Sequence, residues 1–102
     1  MLIITGIITA ESETEILKVK HALQKRAAQS RQDAGNIDYA FSINLEDSCE
    51  IRLTEKWESE ELLHAHLQIP DDAFNAAMAS AKMVSAKVIS NEAGIEKVLL
   101  DQ

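Results

Sequence analysis

The chain has 102 residues, 46% of them apolar, a size that encloses one modest core and leads us to expect a single domain over 1–102. Ten Lys and Arg against seventeen Asp and Glu give a formal net charge of -7, which argues against nonspecific binding to nucleic acid or to an anionic membrane, because phosphate contacts need clustered cations. No apolar run is long enough to cross a bilayer, the lone Cys49 has no internal disulfide partner, and the opening Met1-Leu2-Ile3-Ile4 lacks the basic flank of a signal peptide, so a cytoplasmic protein is expected.

Leu2 to Ala10 is short and rich in β-branched residues, and reads as a strand with Leu2, Ile4 and Ile8 on one face and Ile3 and Ile7 on the other. Ser12 with Glu15 forms a capping-box signature, after which Ile16, Val19, Leu23 and Ala27 recur at helical spacing and predict a helix from about Glu13 to Gln32. Gly35, within Asp33-Ala34-Gly35-Asn36, is the expected left-handed stop. Ile37, Tyr39, Phe41, Ile43 and Leu45 then alternate with polar or small residues as a second strand. Glu46-Asp47-Ser48 turns the chain into a third, which sets Cys49, Ile51, Leu53, Glu55 and Trp57 on one face and Glu50, Arg52, Thr54 and Lys56 on the other.

Ser59 is placed to cap a helix over Glu60 to Gln68, with Glu60 and Glu61 in its first turn, where negative charge suits the helix dipole. Pro70 can open another helix with a small-residue face of Ala73, Ala76, Ala77 and Ser80. Met83 to Asn91 alternates as a fourth strand, and Glu96 to Leu100 is apolar enough for a short edge strand. The order β-α-β-β-α-α-β is that of a ferredoxin-like α+β domain, an antiparallel sheet with helices over one face. Isoleucines on both faces of the first strand, with Val98, Leu99 and Leu100 in the tail, call for a further covering surface; a twofold homodimer is the commonest solution.

Glu55 shares its face with Ile51, Leu53 and Trp57, so its carboxyl heads inward, where it serves either as a proton acceptor in an apolar pocket or as a structural carboxylate bonded to a cation or helix end. Trp57, at the strand end, can wall a pocket for a flat ring or simply anchor the core. His64 and His66 lie about 200° apart on a helix and cannot share an ion, and no other cluster has metal-ligand spacing, so no metal is predicted. Glu60 and His64 make an exposed pair, whereas His66 lies on the Leu62 and Ile69 face and leans inward as a general base or a hydrogen-bonded structural residue. Tyr39 and Phe41 face the core and either simply pack there, the favoured reading, or complete an aromatic pocket with Trp57, and His21 belongs at the surface. Asp47 and Glu50 beside Cys49 argue against a thiolate nucleophile, and no phosphate loop or dinucleotide fingerprint is present.

Glu55, Trp57, Ser59 and His66, with Ala65-His66-Leu67-Gln68 and then Pro70, resemble the signature of the antibiotic biosynthesis monooxygenase family, in particular its quinol-monooxygenase branch. The resemblance implies a dimeric α/β barrel and a cofactor-independent oxygenase that oxidises a small aromatic or quinol-like molecule with molecular oxygen. It assigns proton handling to His66 or Glu55, and a substrate pocket to Trp57, Tyr39, Phe41, Leu62 and Phe74. Quinol-oxidising relatives often carry a His soon after the proline, where this chain has Asp71-Asp72. Thr5, Gly6 and Ile7 stand where haem-degrading relatives have an Asn, so haem degradation is not expected. A noncatalytic binding module of the same fold, or a small isomerase acting on an aromatic-degradation intermediate, are the other readings.

Overall fold

The computed structural model describes residues 1–102 and runs β1 (Leu2–Ala10), α1 (Glu13–Ser30), β2 (Asn36–Asn44), β3 (Asp47–Trp57), α2 (Glu60–Leu67), α3 (Asp72–Ser80) and β4 (Met83–Glu92). All strand pairs are antiparallel, in the order β2-β3-β1-β4. The expected ferredoxin-like α+β architecture is the one observed. Residues paired directly across an antiparallel ladder share a face, so the register of Leu2, Ile4 and Ile8 with Trp57, Glu55 and Ile51, and of Tyr39 and Phe41 with Glu55 and Leu53, sets all of them under the helices.

Two core clusters result. Ile8, Ala10 and Ile51 pack under Ile16, Val19 and Leu23 of α1, while Leu2, Ile4, Tyr39, Leu53 and Trp57 pack with Ala27, and Leu63 of α2 adds to the second cluster. Ser59 caps α2, its hydroxyl accepting from the Leu62 N–H at 3.2 Å. The loop after α1 turns at Gly35, whose φ of 82° is open to glycine at little cost.

Several local expectations are corrected. The capping box does not close: Ser12 makes no side-chain cap, and the Glu15 carboxylate instead accepts from the Lys82 N–H at 3.0 Å and pairs with Lys18, tying α1 to the start of β4. Helix α1 ends at Ser30, so Gly35 governs the loop into β2 rather than stopping the helix. The hairpin turns at Leu45 and Glu46, with Asn44 paired to Asp47, because the ladder shifts register after Ile43. A second shift, between Asn36 and Asp38, puts Ile37 out of the alternation and leaves it exposed. Pro70 stands outside α3, which Asp71 caps by accepting from the Phe74 N–H at 3.1 Å. Phe74, Ala77 and Met78 are the half-buried residues of α3, and Ala73, Ala76 and Ser80 are exposed. The tail forms no strand after Glu92.

Candidate functional site

Trp57 and Glu55 lie two apart on β3 and therefore on one face, and α2 leaves the sheet just beyond them so that His66 drops onto the indole. All three are withdrawn from solvent, Trp57 fully, His66 to 3% exposure and Glu55 to 7%. The Trp57 indole N–H donates to Glu55 Oε1 at 2.9 Å, and the ring centroids of Trp57 and His66 are 4.6 Å apart. Tyr39 lies 5.9 Å from the imidazole and meets Phe41 edge-on at 5.7 Å; Phe41 in turn lies 6.5 Å from Phe74. Leu62 packs over Gly35, so close that a Cβ there would stand 2.7 Å from Leu62 Cβ. Ile69, grouped with His66 by helical spacing, is exposed.

Four residues that the sequence did not single out complete the cluster. His66 Nδ1 is 2.5 Å from Asp33 Oδ2, and His66 Nε2 is 3.2 Å from Arg26 Nη2. Arg26 Nη1 donates to Asp71 Oδ2 at 3.1 Å. A guanidinium has no acceptor, so Nε2 must present its lone pair to Arg26 while Nδ1–H donates to Asp33. Both ring nitrogens are thereby engaged. The Arg26 guanidinium also lies 5.3 Å from the Phe74 centroid, and its buried Nε has no hydrogen-bond partner. Ser30 supports the same turn, its hydroxyl donating to the Arg26 carbonyl at 2.7 Å. Spacing offered a faint signal for Arg26, which follows Leu23 by three on the inward stripe of α1.

Electrostatics separates these groups. Burial pushes the Glu55 carboxyl above the usual carboxylate range, against the opposing pulls of the Trp57 N–H, His66 and Arg26. Burial, and then the Glu55 charge, push the Tyr39 phenol up, with Arg26 and Ser30 pulling the other way. The result is one carboxyl of raised pKa beside aromatic rings and one fixed cation. His64, by contrast, is exposed and 3.8 Å from Glu60, as its place on the opposite side of α2 requires.

The three side chains converge, but they pack against one another, the Trp57 and His66 rings in contact, and none of the three main cavities is lined by Trp57, Glu55 or His66. A groove of about 380 Å³ runs between α1 and β2, with Ala27 and Phe41 in its wall. Another of about 310 Å³ lies between α1 and α3 and reaches Arg26, Asp71 and Phe74. A third depression, about 440 Å³, is on the uncovered sheet face.

A ferredoxin-like domain with a buried carboxyl, imidazole and indole at the end of its third strand is the class that fold and site define. The sequence profile described as antibiotic biosynthesis monooxygenase matches residues 1–80, and the chain belongs to that family. The chain is similar over 99% of its length to a putative antibiotic biosynthesis monooxygenase from Deinococcus radiodurans, covering 100% of that chain at 24% identity and a TM-score of 0.89. A putative family member from Nitrosomonas europaea matches 91% of this chain and 98% of its own at 15% identity and a TM-score of 0.79. A mutant of SnoaB from Streptomyces nogalater, a cofactor-independent oxygenase, matches 98% of this chain and 97% of its own at 12% identity and a TM-score of 0.73. These likenesses carry the fold alone. A search of curated protein sequences found no match.

Proposed function

We propose that this protein is a cofactor-independent monooxygenase that oxidises a small, electron-rich aromatic or quinol-type substrate with molecular oxygen, working as a homodimer in the cytoplasm. The observation that carries the reading is the Glu55 carboxyl, held by the Trp57 N–H in a buried aromatic setting with His66 and Arg26 beside it. A general base acts best when its pKa is raised toward the working pH, and the direction found for Glu55 is the useful one. Glu55 takes the substrate's acidic proton, the Arg26 charge offsets the anion formed, and Trp57, Tyr39 and Phe41 hold the ring. The anion passes one electron to oxygen, and the carbon radical and superoxide combine into a peroxide, which Glu55 reprotonates. Loss of the second proton from that carbon, with hydroxide from the O–O bond, leaves a carbonyl and one water. For a ring CH₂, as in anthrone, CH₂ plus O₂ becomes C=O plus H₂O; a quinol such as menadiol instead gives two electrons and two protons to O₂, leaving quinone and H₂O₂. Neither flavin nor metal enters the balance.

Because the Trp57 and His66 rings are in contact, the cluster must open to admit a substrate. His66, with both nitrogens committed, orients the indole and guanidinium rather than acting as the primary base. That same commitment favours a second reading, a binding module without chemistry. Oxygen uptake with menadiol, a juglone precursor or anthrone separates the two. We expect turnover that falls on the order of a hundredfold in Glu55→Gln, in line with loss of a general base, and clearly in Trp57→Phe and His66→Ala. No uptake above the uncatalysed rate with any of these substrates would leave the binding module, and rearrangement without oxygen would favour an isomerase.

A further inference from the structure

We propose that the groove between α1 and β2, which adjoins the Trp57 cluster across Phe41, is a second binding site, for a flat aromatic monoanion such as a naphthoate. The floor and walls are Ile16, Leu23, Ala27, Phe41, Ile43 and Ile51, and the volume of about 380 Å³ lies in the range of small-molecule sites. Leu17 and Ile43 are exposed large apolar residues on its two walls, one from the helix and one from the strand. A planar hydrocarbon between them removes that surface from water.

Charge decides the chemical class of the guest. The groove is bordered by two cations, Lys20 and Arg31, neither of which pairs with a carboxylate, although the protein carries a net charge of -7. Arg31 is held in place, because its Nε donates to the Tyr39 carbonyl at 3.0 Å, leaving the terminal nitrogens of the fork to meet a carboxylate in the bidentate way that suits guanidinium. Glu13, the only acid lining the groove, is seven residues from Lys20 and eighteen from Arg31 on α1, so at about 1.5 Å per residue it is roughly 10 and 27 Å away along the axis. A neutral ring would leave the Arg31 fork unanswered, and a cationic one would be repelled.

The test is calorimetric titration of the full chain with 2-naphthoate and with its neutral counterpart 2-naphthylmethanol. We expect the acid to bind at least tenfold more tightly, the scale of one charge-assisted hydrogen bond. Arg31→Gln should erase the preference and Arg31→Lys retain part of it. Ile43→Glu should weaken naphthoate binding while the melting temperature stays within a few degrees of the parent. Equal binding of acid and alcohol, or indifference to Arg31→Gln, would overturn the proposal. So would naphthoate binding that appears only after removal of residues 95–102, since the groove would then belong to the chain's own apolar tail. Trp57→Phe serves to separate the two sites: it lowers oxygen uptake under the proposed function but leaves naphthoate affinity unchanged.

Discussion

Glu55 is where a single side chain sets a measurable property of the fold. Its folded-state pKa lies above the ordinary carboxylate value, so within that window the native protein holds more protons than the unfolded chain, and stability falls as pH rises through it. Glu55→Gln keeps an acceptor for the Trp57 N–H but cannot ionise. Urea unfolding from about pH 4 to pH 8 should show the variant gaining on the parent as pH rises through the window and exceeding it at the upper end. Identical pH slopes in the two proteins would mean that the carboxyl titrates as if exposed. Glu55 and Trp57 were legible because a strand's period of two fixes which way each side chain heads, and His66 because helical spacing separated it from His64. Arg26, Asp33 and Asp71 were not. They come from a helix, a loop and a cap, and only the docking of α2 and α3 against α1 brings Arg26 and Asp33 to the His66 imidazole and Asp71 to the Arg26 guanidinium.

Among the elements, the loop from α1 to β2 depends most sharply on one residue. Gly35 combines a φ of 82° with the Leu62 side chain packed directly over its Cα. Gly35→Ala therefore meets both left-handed strain and a clash, and a loss of about 1–3 kcal/mol in chemical denaturation is expected. An unchanged midpoint would show that the loop can rearrange freely. Left-handed geometry at Gly35 could be read from Asp33-Ala34-Gly35-Asn36, but its role could not, because helix termination depends on where α1 docks. The same limit explains Glu15. A Ser-x-x-Glu spacing satisfies the local rule, yet the carboxylate finds a better partner in the Lys82 N–H, 67 residues away. Element order survives such errors because it rests on many apolar positions at once. Caps, turns and bulges rest on one or two, and a single tertiary hydrogen bond redirects them.

For the whole molecule, the surface is too large for its mass. The chain exposes 7091 Å², against about 5,700 Å² for a folded monomer of 11.3 kDa, and its radius of gyration is 14.4 Å against about 13 Å for its length. The excess, roughly 1,400 Å² by the same scaling, is what one partner contributes to a large interface. Its location is visible. Ile7 and Ile89 are exposed on the uncovered face of the sheet, and beyond β4 the tail carries Ile95 and Leu99 at 94% and 95% exposure. Arg52 and Lys87 stand directly across the ladder from Ile7, and Lys56 from Ile3, so a second copy would meet a face on which isoleucines and cations are interleaved. Ile7→Asp places a carboxylate on that face without touching the helix-covered core. Sedimentation should therefore show a dimer for the parent and a monomer for Ile7→Asp. Removal of residues 95–102 should weaken the dimer while sparing the Trp57 fluorescence that reports the buried indole. A parent that sediments as a monomer at high concentration would require another use for this surface, since an isolated chain would gain nothing by presenting isoleucine and leucine to water on this scale.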